Sequence, residues 1–148
     1  MSPDALNDHV INIERSFAAT PDAVFAAWTE RDQMVQWYGP DGYTVPECEM
    51  DVRVGGGIRI CMMEPDGTPH WVDGKYLEIT PPEVLSFTWA WEMEDEVGPE
   101  SIVRIEFVAE DGGTRLVVSH TGFDSAESRD GHNQGWVSSF DSLERHLS

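Results

Sequence analysis

The chain has 148 residues, a formal net charge of -19 and 40% apolar residues. That length fits one domain around one hydrophobic core, and the apolar share argues against disorder. With 28 acidic residues against 9 basic ones, the surface repels phosphate backbones and anionic headgroups, so neither nucleic acid nor membrane is an expected partner.

No run approaches the roughly 20 apolar residues that span a bilayer. The first residues, Met-Ser-Pro-Asp-Ala-Leu-Asn-Asp, have no basic start followed by an apolar run. A cytoplasmic location is the expectation. Lys75 is the sole lysine. Such acidity suits a high-salt cytoplasm, where self-repulsion is screened, and equally suits an ordinary acidic protein. Cys48 and Cys61 have no metal or redox spacing and read as free thiols.

Residues 1–9 read as a flexible tail, and 10–148 as the folded domain. Val10–Ala18 is half alternating and predicts a strand. Thr20-Pro21-Asp22 starts a helix: Thr20 caps, Pro21 suits the first turn and Asp22 its positive end. Val24, Phe25 and Trp28 form that helix's apolar stripe. Thr29, with Asp32 three positions on, predicts the cap of a second short helix. This one stops at Trp37-Tyr38-Gly39-Pro40.

Tyr43–Val54 alternates, with Cys48, Met50, Val52 and Val54 on one face. Gly55-Gly56-Gly57 then reads as a three-residue turn that pairs Val54 with Ile58. Ile58, Ile60 and Met62 follow on the apolar face, Arg59 faces Arg53, and Cys61 faces Asp51 on the side away from Cys48. Pro65-Asp66-Gly67 is a turn, Trp71–Ile79 a strand, and Thr80-Pro81-Pro82-Glu83 a break. Val84–Trp91 sets Leu85, Phe87, Trp89 and Trp91 on one face. Glu92–Pro99 is an acidic connection. Ile102–Ala109 carries Val103, Ile105 and Phe107 on one face. Asp111-Gly112-Gly113 turns into Thr114–Thr121, with Leu116, Val118 and His120 in phase. From about Asp130 a helix presents Trp136, Phe140, Leu143 and Leu147. The order is strand, two short helices, six strands, long helix. Short turns predict an antiparallel sheet, whose apolar face only the last helix is long enough to cover.

Several segments resemble successive landmarks of one family. They are Val24-Phe25-Ala26-Ala27-Trp28-Thr29, Trp37-Tyr38-Gly39-Pro40, Asp51-Val52-Arg53-Val54-Gly55-Gly56 and Gly74-Lys75-Tyr76-Leu77-Glu78-Ile79. Pro81-Pro82-Glu83-Val84-Leu85-Ser86-Phe87-Thr88-Trp89 and Gly131-His132-Asn133-Gln134-Gly135-Trp136 continue the series. The chain resembles, over residues 10–147, single-domain proteins similar to the C-terminal domain of the activator of the heat-shock protein 90 ATPase. That group belongs to the START-like superfamily, with the helix-grip fold of the birch-pollen allergen. The resemblance implies an α+β fold: a curved seven-stranded antiparallel sheet wrapped around a long C-terminal helix, enclosing a largely apolar cavity. Members of the superfamily bind lipids, sterols, hormones or polyketides, and some are cyclases or aromatase-like enzymes. The activator itself is a co-chaperone with an additional N-terminal domain, for which this chain has no room.

Nine residues are candidates for the cavity wall. Trp28, Trp37 and Tyr38 border the short helices and either stack on an apolar ligand or seal the core. Phe87 and Trp89 narrow the cavity if their face is concave. If it is convex, Trp89 and Trp91 form an exposed band. His120 reads as a pocket acid–base group or a hydrogen-bonded core histidine. His132 opens the last helix, against a loop or a ligand. Tyr76 and Trp136 complete the set, and Trp71 has no assignment. His70 is read as a surface residue at a strand start, and His9 and His146 as peripheral. The histidines lack short ligand spacings, so no metal is expected. No nucleophile elbow occurs, and the triple glycine lacks a phosphate loop's lysine and helix. No catalytic residue or cofactor is assigned. Arg53 and Arg59 can hold a ligand carboxylate, or simply pair with Glu49 and Asp51.

The leading expectation is binding of a small, largely apolar molecule between sheet and helix. A cyclase- or dehydratase-type enzyme is the first alternative, with His120, His132, Tyr76 or a carboxylate converging on the cavity. A co-chaperone or stress-response module is the second, with the acidic 92–100 loop steering a basic partner. Homodimerisation is compatible with all three.

Overall fold

The computed structural model describes residues 10–39, 42–92, 100–122 and 126–147. The tail 1–9, Pro40 and most of the acidic connection, residues 93–99, lie outside the described residues. Strand β1 (Ile11–Phe17) leads to helices α1 (Pro21–Thr29) and α2 (Arg31–Trp37). Six strands follow: β2 (Thr44–Met50), β3 (Gly57–Met63), β4 (Pro69–Thr80), β5 (Val84–Trp91), β6 (Ser101–Glu110) and β7 (Gly113–Thr121). Helix α3 (Ala126–Leu147) closes the chain. All strand pairs are antiparallel, in the order β1-β7-β6-β5-β4-β3-β2. This is the expected α+β helix-grip arrangement. No helix among the described residues is long and apolar enough to cross a membrane.

Thr20 caps α1, its hydroxyl accepting the Ala23 N–H at 3.3 Å. The second cap differs from expectation. Glu30 holds that position, with no side-chain cap bond. Thr29 is still inside α1 and donates its hydroxyl to Phe25 O at 2.9 Å. A threonine inside a helix bonds back to the carbonyl four residues earlier, and this takes the hydroxyl away from the next helix.

The β2–β3 connection departs most from the sequence pattern. The strand ends at Met50, which pairs with Ile58; Glu49 faces Arg59 and Glu47 faces Cys61. Arg59 therefore does not face Arg53, nor Cys61 Asp51. Val52 and Val54 are exposed, Val54 at 67%. The cause is local. Gly55 adopts φ +85°, and a Cβ on Gly56 would lie 2.0 Å from Asp51 O, so the backbone doubles back four residues earlier than predicted. A shift of four preserves strand phase. Ile58, Ile60 and Met62 are still buried, and Cys48 and Cys61 are free thiols on opposite faces.

The inner face of the sheet carries Leu85, Phe87 and Trp89 from β5, Val103, Ile105 and Phe107 from β6, and Leu116, Val118 and His120 from β7, all buried. Trp136, Phe140 and Leu143 of α3 pack into the same core, as do Val24, Phe25 and Trp28 of α1. Helix α3 begins at Ala126, before the predicted Asp130. Arg15 of β1 clamps it through Asp141 at 2.7 Å and Glu144 at 2.9 Å.

Candidate functional site

Eight of the nine predicted wall residues are buried, and the ninth, His132, is half-buried. The concave assignment of Phe87 and Trp89 holds, because both belong to the core. Trp28 meets Trp37 edge-to-face at 4.8 Å, and lies 5.9 Å from Trp136 and 6.2 Å from Phe140. Tyr38 adjoins Trp37 at 5.6 Å and Trp136 at 6.1 Å. Trp89 stands against Trp91 at 4.6 Å, His132 at 5.0 Å and His120 at 5.4 Å. Tyr76 is set apart on β4, packed on Phe87 at 6.1 Å.

Hydrogen bonds order this layer. Trp37 Nε1 donates to Ala27 O at 3.0 Å, tying α2 to α1. Trp89 Nε1 donates to the Tyr38 hydroxyl at 3.0 Å, tying α2 to the sheet. Trp136 Nε1 donates to His120 Nδ1 at 3.0 Å. An indole N–H only donates, so Nδ1 is the accepting nitrogen and Nε2 carries the proton. That proton goes to Ser101 Oγ at 2.7 Å, and Ser101 passes its own to Trp89 O at 2.7 Å. The chain of donors runs one way, from α3 through β7 and β6 to β5.

The chain fixes how the His120 ring is held. It is fully buried; burial above all, with His132 adding to it, lowers its pKa to about 3. A second ring proton would confront the Trp136 N–H. Its basic nitrogen is thus committed to Trp136, the bonded core histidine of the two readings. Trp91 Nε1 likewise donates to His132 Nε2 at 2.9 Å, but both of those side chains are half-buried.

Tyr38, Tyr76 and Cys48 form a second group. Burial raises the Tyr38 phenol, the Trp89 N–H opposes this, and Cys48 adds to it. Burial also raises Tyr76, with Cys48, Tyr38 and Asp51 adding to it. The Cys48 thiol is pushed up to about 11 by burial, against the pull of Arg31. All three groups therefore hold their protons at neutral pH. Tyr76 Oη and Trp28 Nε1 are buried with no hydrogen-bond partner among the described residues.

Two further residues, Ser101 and His70, join the ring layer. Ser101 precedes the predicted strand start yet is in phase with Val103 and Ile105, the signal that would have found it. His70, expected at the surface, is half-buried with its side chain 40% exposed. It shares strand phase with Val72 and Tyr76 and lies 6.3 Å from Tyr43 and 6.1 Å from Trp91. Its Nε2 meets Glu64 at 2.6 Å. Trp71 faces outward beneath the Arg59 guanidinium at 3.9 Å. Arg59 binds Glu92 at 2.6 and 3.0 Å, while Arg53 pairs with Asp51 at 2.8 Å. The arginines are thus held by carboxylates of the chain itself. Among the described residues no three His, Cys, Asp or Glu side chains are grouped to hold a metal ion.

The family model for "Activator of Hsp90 ATPase homolog 1-like protein" matches residues 18–148. The AHSA1 protein from Silicibacter pomeroyi is 32% identical over 93% of this chain and 96% of that one, with a TM-score of 0.86. Protein CV1439 from Chromobacterium violaceum shares the fold at 24% identity, over 93% and 96% of the two chains, with a TM-score of 0.84. CalU16 from Micromonospora echinospora is 25% identical over 94% of this chain and 76% of that one, with a TM-score of 0.71. Comparison with the curated proteins gives no match. The chain belongs to the AHSA1 family, the proteins similar to homolog 1 of the activator of the Hsp90 ATPase.

Proposed function

We propose that the protein binds a small, largely apolar molecule between the sheet and α3, entering where Trp91 and His132 are half-buried. One observation carries this reading. A continuous layer of rings runs from Trp91 and His132 through Trp89 and Tyr38 to Trp136, Trp28 and Trp37. Sealing a core of this size needs no such layer, whereas an apolar ligand gains from stacking along it. The wall comprises Trp28, Trp37, Tyr38, Tyr76, Phe87, Trp89, His120, His132 and Trp136. Binding is favoured over catalysis because the basic nitrogen of His120 is committed to Trp136. A chaperone-related contact is supported by the family description alone.

The test is native mass spectrometry of the purified protein together with titration of its tryptophan emission by a library of apolar compounds. A co-purifying small molecule, or saturable quenching with a raised melting temperature, is expected. If no species co-purifies and no compound shifts emission or melting, the reading falls.

A further inference from the structure

We propose that this site takes a neutral ligand whose polar end is a hydrogen-bond acceptor, a ketone, ester or amide carbonyl, met by the hydroxyl of Tyr76; the proposal rests on the binding reading above. Tyr76 is 1% exposed and its hydroxyl has no partner among the described residues. Leaving such a group unpaired carries a desolvation penalty that a folded chain normally avoids. Tyr76 pairs with Phe87 in the β4–β5 ladder and faces the core beside it. Trp89, two residues on, shares that face.

The spare polar groups of the interior are donors. An indole N–H can only donate, and Trp28 Nε1 is buried without a partner among the described residues. The Tyr38 oxygen already takes the Trp89 N–H, so its own proton is there to give. Burial keeps both phenols protonated. Tyr76 can donate or accept, but the Trp28 N–H and the remaining Tyr38 proton can only be given, so an acceptor is the one ligand group that suits all three.

Charge excludes the strongest acceptor, a carboxylate. The buried polar residues described are Ser86, Thr88, Ser101, Thr114, His120 and Ser139. None is a cation, since burial holds His120 neutral. An anion taken into such an interior loses its hydration without gaining a counter-charge, and it must first approach a chain of net charge -19. A carbonyl oxygen meets the donors at far lower desolvation cost.

Calorimetric titration with three matched probes tests this: benzophenone, diphenylmethane and diphenylacetate, each against the wild type and Tyr76→Phe. Benzophenone is expected to bind about tenfold more tightly than diphenylmethane, and diphenylacetate most weakly. In Tyr76→Phe the benzophenone advantage should vanish, so that the two neutral probes bind alike. The ligand-free variant should melt at or above the wild-type temperature, because an unpaired hydroxyl has been removed. Equal binding of benzophenone and diphenylmethane overturns the acceptor proposal and leaves apolar binding intact. Tightest binding of diphenylacetate, or a Tyr76→Phe variant that melts lower, also overturns it. If no probe binds either protein, the proposal and the binding reading fall together.

Discussion

The molecule contains two indole-to-imidazole hydrogen bonds of nearly equal length. Trp136 donates to His120 at 3.0 Å, and Trp91 donates to His132 at 2.9 Å. The chemistry is the same and the surroundings are not. His120 is 0% exposed and its proton continues to Ser101 and the backbone of β5. The Trp91–His132 pair is half-buried at one end of the ring layer. Where water is excluded, a broken bond leaves an unpaired donor, and the pair is part of the folded frame. Where water can take over, the same bond opens at small cost. That is the end at which the proposed ligand would enter.

The largest test of this contrast is His120→Ala. It deletes a buried ring and strands both the Trp136 N–H and Ser101, so about 3–4 kcal/mol of stability should be lost in urea unfolding at pH 7. A loss below about 1 kcal/mol would sink the claim that the buried pair is structural. Acid comes next. The unfolded chain protonates His120 near the ordinary 6.5, the folded chain only at about 3. Across that window the unfolded state binds the extra proton, so stability present above pH 6.5 drains away as pH falls toward 3. The loss attributable to this group is on the order of a few kcal/mol. Wild type and His120→Ala should therefore converge in stability between pH 7 and pH 4. A gap that stays constant would contradict the neutral, committed ring.

His132→Ala should be far milder, under about 1 kcal/mol, because water replaces the imidazole at Trp91. Its signature should be optical instead, a shift in tryptophan emission. If this variant costs as much as His120→Ala, the two pairs are equivalent and the entry argument fails. The smallest effect belongs to Asp73→Asn, on the outer face. Burial and the neighbouring Glu92 raise the Asp73 carboxyl to about 6, while Arg59 pulls the other way. The folded state thus gains stability as pH falls through 6, and the ionised carboxylate opposes folding above it. With solvent screening, Asp73→Asn should gain under about 1 kcal/mol at pH 7.5, and the gain should fade as pH falls through 6 and vanish only below the ordinary 3.8. Ligand binding should be untouched. An altered ligand affinity would mean that the two faces are coupled.

Much of the fold was legible because it rests on local rules. Thr20 and Pro21 mark a helix start, and strict alternation from Leu85 to Trp89 names an inner face. The β2–β3 turn was misread because alternation persists through Val52 and Val54 after the ladder has ended at Met50. Only the clash that a Cβ at Gly56 would make with Asp51 O shows where the chain must turn. The site was legible in composition and not in connection. Strand phase and helix borders gather Trp28, Trp37, Tyr38, Trp89 and Trp136 as candidate wall rings, and all five are buried. Ser101 and His70 lie at element ends, where pattern is weakest, so Ser101 has no assignment in the sequence and His70 reads only as a surface residue.

Sequence alone determined the order of elements, the antiparallel sheet, the phase of each strand and the acidic surface. These depend on neighbours a few residues apart, through a period of two along strands and near 3.6 along helices. The tertiary structure alone decided which indole bonds which imidazole, which nitrogen of His120 holds its proton, and which hydroxyl is left over. Those outcomes join Trp136, His120, Ser101 and Trp89 from four different elements. No local period encodes the meeting of residues up to 47 positions apart, because packing of α3 against the sheet sets their distances.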